Sequence, residues 1–291
     1  MKKILILGSS GILGKQLYKE LKKLKNIKIF HTGLKKRIID INDRGAFKNF
    51  IYSIKPNLII NCIAYTNVDS CESHKHVSKK VNYKFLQELF KIKKQKKLKF
   101  NFIHFSTDQF YNLLNNKKSN EKSKIYLINN YCKHKRKAEL ICLKNKCLVL
   151  RTNFFGKSDS TNKSFSDWIF KAFTGKQPFN LFKDIYFNPL GLSTIVKIIS
   201  MIIITKKYKF YGLYNLAAKD AMYKDQFAIQ FSKKVCIYRK NYVRVNSDQI
   251  LKVKRSRNMF MCVKKFEKKF NFNFPNISSE INKEAKKYIN L

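Results

Sequence analysis

The sequence is short of acidic residues, proline and glycine, and it has no long apolar run. Its seven cysteines make an odd number without any Cys-x-x-Cys pair, which argues against a disulfide framework or a zinc site and fits a reducing cytoplasm. The five histidines show no metal-ligand spacing. The most apolar late segment, residues 195–205, carries Lys197 and is too short to span a bilayer. We therefore expect a soluble cytoplasmic protein with no metal and no membrane insertion.

The shortage of acidic residues leaves the chain strongly basic. Only 18 Asp and Glu oppose 62 Lys and Arg, so the formal net charge is +44. Such a balance is typical of proteins that bind nucleic acid or anionic membranes. Here the lysines are spread along a chain that is also rich in Asn, Ile, Phe and Tyr, which indicates a codon bias, and no nucleic-acid-binding motif is present. We expect no specific nucleic-acid binding, although the charge would help to attract a polyanionic cofactor and substrate.

A glycine-rich turn follows the first apolar run. The run 3–7 begins at Lys3 and continues with four apolar residues, as in a parallel strand buried on both faces. After the turn, an amphipathic helix is predicted to run to about residue 25. Between them, Gly8 and Gly11 permit a tight turn and close approach of the backbone to a pyrophosphate, and Gly14 lets the helix pack near the strand. The spacing is Gly-x-x-Gly-x-x-Gly, and in this context it favours a dinucleotide cofactor over a purely structural turn.

The segment after the second predicted strand, residues 26–30, bears on the choice of cofactor. It has no acid and three bases, Lys35, Lys36 and Arg37, whereas enzymes selective for NAD usually carry an acid there. The pattern favours NADPH and leaves NADH open.

Further on, helices over 44–53 and 77–94 alternate with strands over 58–62, 100–105 and 147–150. This alternation predicts an α/β fold with a doubly wound parallel sheet of Rossmann type.

A Tyr-x-x-x-Lys pair, Tyr131 and Lys135, lies on the helix predicted after residue 123. Residues four apart share one face of a helix, and a neighbouring cation favours the phenolate, so this tyrosine can act as a general acid or base. The alternative is a chance pair in a chain rich in both residue types. Thr107 and Asp108 end a predicted strand 24 residues before the tyrosine, and ligands of such sheets bind at the carboxyl ends of strands.

Taken together, Gly8-x-x-Gly11-x-x-Gly14, Ser106-Thr107-Asp108 and Tyr131-x-x-x-Lys135 resemble the extended short-chain dehydrogenase/reductase superfamily. Within it, the chain is similar to the dTDP-4-dehydrorhamnose reductase family over nearly its whole length. An ordered series of segments carries this closer similarity: 40–43 (Asp-Ile-Asn-Asp), 55–69, 106–110, 150–152 (Leu-Arg-Thr) and 212–217 (Gly-Leu-Tyr-Asn-Leu-Ala).

The resemblance implies that NADPH delivers hydride to the C4 ketone of a nucleotide-linked 6-deoxy-4-keto sugar, in deoxysugar synthesis for surface polysaccharide. Tyr131 would protonate the developing alkoxide, Lys135 would lower the phenol pKa and bind the nicotinamide ribose, and Thr107 would hydrogen-bond the ketone or the phenol. The implied cofactor residues are Gly8, Ser10, Gly11, Ile12, Leu13 and Gly14 at the phosphates, Asp40 and Ile41 at the adenine, Ala64 and Tyr65 on the far side, and Tyr131 and Lys135. The implied substrate residues are Thr107, Asp108, Asn153, Phe154, Arg255 and Asn258.

Three departures from the family pattern lie on the substrate side. Cys132 replaces the Gly that usually follows the tyrosine, Asn153-Phe154 stands where a Trp is usual, and Arg255-Ser256-Arg257-Asn258 replaces an Arg-Pro-x-Asn-Ser pattern. They bear on the identity of the sugar more than on the class of reaction. Arg255 and Asn258 either contact the nucleotide diphosphate or are solvated.

We predict a dinucleotide-binding domain over 1–156, with 187–215 packing back on it, and a smaller, mostly helical substrate lobe over 157–186 and 216–291. The absence of a Pro/Gly linker favours interleaved lobes. Three alternative functions stay open: another nucleotide-sugar ketoreductase or an epimerase, a non-catalytic NADP-binding regulatory subunit, and a basic nucleic-acid binder. The sugar, the nucleotide, a homodimeric state and a metal that supports assembly are not decided by the sequence.

Overall fold

The computed structural model describes residues 1–33, 43–113 and 115–289. The chain divides into two compact units. The first unit comprises Met1–Ser106, Asn130–Leu150 and Ile198–Leu213, and the second comprises Thr107–Asn129, Arg151–Lys197 and Tyr214–Leu291. Within the described ranges, no helix is both long and apolar enough to cross a membrane.

Strands and helices alternate through the first half of the chain. They are β1 (Lys2–Leu7), α1 (Ile12–Leu21), β2 (Ile27–His31), α2 (Arg44–Ile54), β3 (Leu58–Asn61), α3 (Val68–Ser73), α4 (Lys75–Lys79), α5 (Phe85–Gln95), β4 (Asn101–Thr107), α6 (Asn130–Lys144) and β5 (Leu148–Thr152). A turn of π-helix, Lys80–Lys84, joins α4 to α5. The elements that follow are β6 (Phe154–Phe155), α7 (Phe165–Thr174), β7 (Phe179–Phe182), β8 (Tyr186–Phe187), β9 (Leu190–Gly191), α8 (Leu192–Ile204), β10 (Gly212–Leu216), β11 (Met222–Tyr223), α9 (Lys224–Lys234), β12 (Tyr242–Val245), β13 (Asn258–Met259), α10 (Lys264–Phe270) and α11 (Ile277–Ile289).

A six-stranded sheet has the strand order β10-β5-β4-β3-β1-β2, and most of its residues belong to the first unit. β1 pairs in parallel with β2 and β3, and β3 pairs in parallel with β4. Every residue of β3 and the last four of β1 are buried, because helices cover a parallel sheet on both faces. Phe47 and Ile51 of α2 and Leu86 and Leu89 of α5 share one apolar core with these strands. The predicted doubly wound parallel sheet is confirmed.

Local signals set several helix ends. Asp43 accepts a hydrogen bond from the Ala46 amide at 3.0 Å and begins α2. Ser164 and Asp167 form a capping box that begins α7. α1 ends at Leu21, earlier than the predicted residue 25.

The second unit has its own aromatic core. Phe155, Phe173, Phe187, Phe227 and Phe231 are buried there, and α7, α9 and α11 contribute to it. Short strands add to the predicted helices, since β8 pairs with β11 and β13, and β7 pairs with β12. α10 and α11 are separate helices, because Asn271 takes a left-handed conformation (φ 51°) that ends α10.

Candidate active site

The turn between β1 and α1 requires glycine at two positions. Gly8 has a positive φ of 78°, and a Cβ there would lie 2.9 Å from Cγ1 of Ile63. A Cβ on Gly14 would overlap the carbonyl oxygen of Gly8. The glycines therefore permit the close approach of α1 to the strand that the spacing predicts.

Thr32, just after β2, holds this turn in place. Its hydroxyl accepts a hydrogen bond from the Gly8 amide at 3.2 Å, and its carbonyl accepts from the Ser9 amide at 3.0 Å and the Ser9 hydroxyl at 2.6 Å. Gly11 is the N-cap residue of α1, and it supplies no side-chain hydrogen bond to the start of the helix. An uncapped helix start beside a glycine turn has backbone amides and a positive dipole end that suit a phosphate.

Tyr131 and Lys135 lie one turn apart in the first half of α6, and both side chains are buried, with relative exposures of 7% and 2%. Nζ of Lys135 donates a hydrogen bond of 2.6 Å to the carbonyl oxygen of Phe105 in β4. Burial lowers the pKa of Lys135 to about 8, although Glu139 and the thiols of Cys142 and Cys62 oppose the shift. Below about pH 8 Lys135 is therefore mainly a cation, held in place by its hydrogen bond to Phe105, and near neutral pH it can exchange a proton.

Glu72 of α3 caps the start of α6. It accepts hydrogen bonds from the Asn130 amide, at 2.6 Å, and from the Asn130 side chain. A carboxylate at a helix N-terminus is favoured by the helix dipole, and here it fixes the turn that carries Tyr131. Sequence reasoning missed this role because the two residues are 58 positions apart and no local motif links them.

A polar network holds the loop that contains Ala64 and Tyr65. The Asn82 side chain accepts from the Tyr65 amide at 2.9 Å and donates to the Tyr65 carbonyl at 3.1 Å. Asn82 also donates to Ser78 at 3.2 Å, and Ser78 is 2.8 Å from Nδ1 of His134 on α6. The loop after β3 is therefore tied to the Tyr131 helix within the first unit.

Thr107 and Asp108 open the second unit. The Thr107 hydroxyl donates to Oδ1 of Asp108 at 3.3 Å, and the Asn153 side chain donates to Oδ2 at 2.8 Å. Asp108 is buried, with 2% exposed. Burial raises the pKa of Asp108 to about 6, while the Asn153 hydrogen bond and the charge of Lys224 lower it. The structure thus brings together three of the predicted substrate residues.

A cavity of about 410 Å³ lies in the same unit, lined by Phe165, Trp168, Asn180, Leu181, Phe182, Lys224 and Ile250. The rings of Phe165 and Trp168 are stacked, 5.9 Å apart and 7° from parallel. Nζ of Lys224 lies 5.2 Å from the centroid of the Phe165 ring. An aromatic wall beside a cation suits a flat ring attached to an anionic group. Sequence reasoning missed this cavity because its lining comes from four separate segments.

The remaining predicted site residues are placed as follows. Asn258 is buried, and its amide donates to the carbonyls of Leu113 at 2.7 Å and Lys117 at 3.0 Å. Arg255 is half-buried and donates to the Val253 carbonyl at 3.2 Å. Phe154 is half-buried in β6. Asp40 and Ile41, and the basic residues 35–37, lie outside the described residues. No group of three or more His, Cys, Asp or Glu side chains in the described ranges is arranged to hold a metal.

The parallel sheet, the glycine turn after β1 and the Tyr-x-x-x-Lys helix define an oxidoreductase fold of the short-chain dehydrogenase/reductase type. The family model described as RmlD substrate binding domain matches residues 1–289, and the chain belongs to that family. The family resemblance read from the motifs is thereby confirmed.

Individual relatives agree with this membership. The chain is 28% identical over 238 residues to the dTDP-4-dehydrorhamnose reductase of Aggregatibacter actinomycetemcomitans, a match that covers 79% of this chain and 78% of that protein. Among solved structures, the dTDP-4-dehydrorhamnose reductase of Bacillus anthracis in complex with NADP matches with a TM-score of 0.86 and 20% identity, covering 99% and 100% of the two chains. The UDP-glucose 4-epimerase of Thermotoga maritima matches with a TM-score of 0.81 and 15% identity, covering 99% and 98%. At these identities the two structures show a shared fold.

Proposed function

We propose that the protein is an NADPH-dependent reductase that acts on the C4 ketone of a nucleotide-linked 6-deoxy-4-keto sugar, as a dTDP-4-dehydrorhamnose reductase does, in deoxysugar synthesis for surface polysaccharide. The observation that carries the proposal is the buried Tyr131–Lys135 pair on α6, with the Lys135 ammonium hydrogen-bonded to the Phe105 carbonyl. Membership of the family supports the substrate class.

The glycine turn and the uncapped start of α1 fit a dinucleotide, because side chains at Gly8 and Gly14 would fill the space the backbone needs. NADPH, when bound, supplies the hydride. Gly8, Ser10, Gly11, Ile12, Leu13 and Gly14 would hold its phosphates and Ala64 and Tyr65 its far side. The Bacillus anthracis reductase was solved in complex with NADP, which supports this cofactor over NAD, and NADH stays an alternative.

Tyr131 is the proton donor in this mechanism. As the ketone carbon is reduced, negative charge develops on its oxygen, and the Tyr131 hydroxyl transfers its proton there. The Lys135 cation stabilises the phenolate that remains and so lowers the pKa of the phenol. The Thr107 hydroxyl would turn from Asp108 to donate its one hydrogen bond to the same oxygen, and so stabilise the charge that grows in the transition state.

The second unit would hold the substrate. Asp108, oriented by Asn153 and Thr107, presents a carboxylate that can accept hydrogen bonds from sugar hydroxyls. The cavity beside Phe165 and Trp168 suits the base of a nucleotide, and Lys224 suits its phosphates. Phe154, Arg255 and Asn258 complete the proposed set, with Asn258 acting through the loop that its amide holds.

Alternatives differ in what they leave unexplained. A non-catalytic regulatory subunit would not require a buried Lys135 one helical turn from Tyr131. Another ketoreductase or an epimerase of the superfamily shares the fold, and an epimerase would show no net consumption of NADPH. All seven cysteines lie in the described ranges and none of them forms a disulfide, which supports a cytoplasmic location. Sedimentation would decide whether two copies pair as a homodimer.

NADPH oxidation against a panel of nucleotide-linked 4-keto sugars tests the function. We expect stoichiometric oxidation with at least one member of the panel, and no oxidation with the matching 4-hydroxy sugars. Purification with tightly bound nicotinamide and turnover without net oxidation would favour an epimerase instead.

A further inference from the structure

The amino ends of the strands of the first unit lie at one edge of its sheet. Backbone hydrogen bonds join the strand starts to one another. In each, an amide donates to a carbonyl: Lys2 to Asn26 at 3.0 Å, Asn57 to Lys3 at 2.8 Å, Asn101 to Asn57 at 3.0 Å, and Gly212 to Cys147 at 3.0 Å. Five segments enter the sheet there, at residues 22–26, 55–57, 96–100, 145–147 and 205–211, and together they are named the lysine edge. All belong to the first unit.

Lysine is concentrated at this edge of the sheet. Lysine makes up 11 of the 23 residues of the lysine edge, against 54 of 291 in the whole chain, and the edge contains no Asp or Glu. All of these lysines are exposed except Lys207, which is half-buried. The segments that leave the carboxyl ends of β1 and β3, residues 8–11 and 62–67, contain no lysine, whereas the segment after β2 contains Lys35, Lys36 and Arg37. The codon bias of the gene raises the lysine content of the whole chain, and the lysine edge exceeds that average.

Helix dipoles explain part of the pattern. These segments follow the C-termini of helices, where a cation is favoured. The dipole does not account for the apolar side chains exposed at the same edge, however. Ile204 is 63% exposed at the end of α8, Tyr211 is 61% exposed, and Tyr52 is 49% exposed near the end of α2. A surface on which lysines surround an exposed aliphatic side chain suits a partner that is both anionic and apolar.

Tyr52 also borders a surface hollow. The hollow has a volume of about 370 Å³ and is lined by Tyr52, Lys55, Pro56, Lys96, Lys97, Leu98, Lys99 and Phe100. Nζ atoms of Lys55 and Lys96 lie 5.2 and 5.9 Å from the centroid of the Tyr52 ring. Two ammonium groups beside an aromatic ring would attract a phosphate group.

We propose that the lysine edge, with Tyr52, Ile204 and Tyr211, is a docking surface for an anionic lipid membrane. Lysines would attract the anionic headgroups, the two tyrosines would lie at the level of the headgroups, and Ile204 would enter the acyl boundary. The carboxyl edge of the sheet, with the glycine turn, is on the opposite side and would stay open to the cytoplasm. The inference does not depend on which reaction the protein catalyses.

A nucleic acid is the other polyanion that lysines attract, but it offers no apolar layer for Ile204. The distinction can be measured with vesicles of phosphatidylcholine alone and vesicles containing about 30% phosphatidylserine, a composition with a negative surface potential. We expect the whole protein to cosediment with the anionic vesicles only, and the binding to weaken in 0.5 M NaCl because salt screens the attraction, with a Debye length of roughly 4 Å there.

Two variants test the surface itself. Lys96→Glu/Lys97→Glu/Lys99→Glu should lower the vesicle partition coefficient at least about tenfold, since each lysine near an anionic surface contributes strongly. Lys163→Glu/Lys234→Glu/Lys240→Glu changes the net charge equally at exposed positions of the second unit and should have much less effect. Equal losses in the two triple variants would overturn the proposal, because net charge alone would then explain binding.

Ile204→Asn separates lipid from nucleic acid without altering charge. It should weaken binding to anionic vesicles several-fold and leave retention of double-stranded DNA unchanged. Unchanged melting temperatures would show that the variants are folded. Tighter binding to DNA than to anionic vesicles, with Ile204→Asn silent in both, would overturn the membrane assignment and favour a nucleic-acid partner.

Discussion

The ionisation of Asp108 should depend on Asn153. The Asn153 amide donates a 2.8 Å hydrogen bond to a carboxylate that is almost completely buried, and Asp108 has a pKa of about 6 with that bond in place. Hydrogen bonds to charged groups are worth about 1.5–3 kcal/mol. Because the bond favours the ionised form, Asn153→Ala should raise the pKa of Asp108 by about 1–2 units, at 1.36 kcal/mol per unit.

The pH dependence of kcat/KM for NADPH oxidation measures this shift. If the carboxylate of Asp108 binds the sugar, activity should fall as pH drops through about 6 in the original protein, and the acid limb should move to higher pH in Asn153→Ala. Asn162→Ala, a change at an exposed Asn of the same unit, is the control and should leave the limb in place. An acid limb that does not move in Asn153→Ala would refute the assigned role of the hydrogen bond.

Three further changes have defined outcomes. Gly14→Ala places a methyl group against the Gly8 carbonyl, so it should weaken NADPH binding and destabilise the fold by about 1–3 kcal/mol, measured by fluorescence titration and urea unfolding. Asp108→Asn should abolish most activity, yet it should raise the free energy of unfolding at pH 8 by about 1–3 kcal/mol. Burial raises the pKa of the Asp108 carboxyl, so the folded state loses stability as pH rises from the unfolded pKa through about 6, and a neutral Asn does not incur this loss. Glu72→Ala removes the acceptor for the Asn130 amide and should cost about 1–2 kcal/mol in thermal unfolding experiments, with kcat lowered because Tyr131 is less firmly placed.

The parts of the structure that local patterns determine could be predicted from the sequence. β1 is a short apolar run that ends at a glycine, α2 begins at Asp43, and α7 begins at a Ser-x-x-Asp box, so each carries its own boundary signal. The parallel sheet followed from the alternation of such segments. The π-turn at 80–84 and the break at Asn271 have no comparably strong signal, and the sequence does not reveal them.

Contacts between distant residues could not be predicted in the same way. Glu72 reaches Asn130 across 58 positions, and Asn153 reaches Asp108 across 45. Both depend on where whole strands and helices come to lie, and a motif scan sees only residue types and spacings. The family resemblance supplied Thr107 and Asp108 as candidates, but the buried state of Asp108 and its raised pKa required the three-dimensional structure.

The central claim is that the Tyr131 hydroxyl protonates the oxygen of the reduced ketone, assisted by Lys135. Its most direct test is the rate of NADPH oxidation in Tyr131→Phe under saturating cofactor and 4-keto sugar, with Tyr126→Phe as the matched control. We predict that kcat falls at least about 100-fold in Tyr131→Phe, with the Kd for NADPH little changed and the control fully active. Undiminished turnover in Tyr131→Phe would contradict the account.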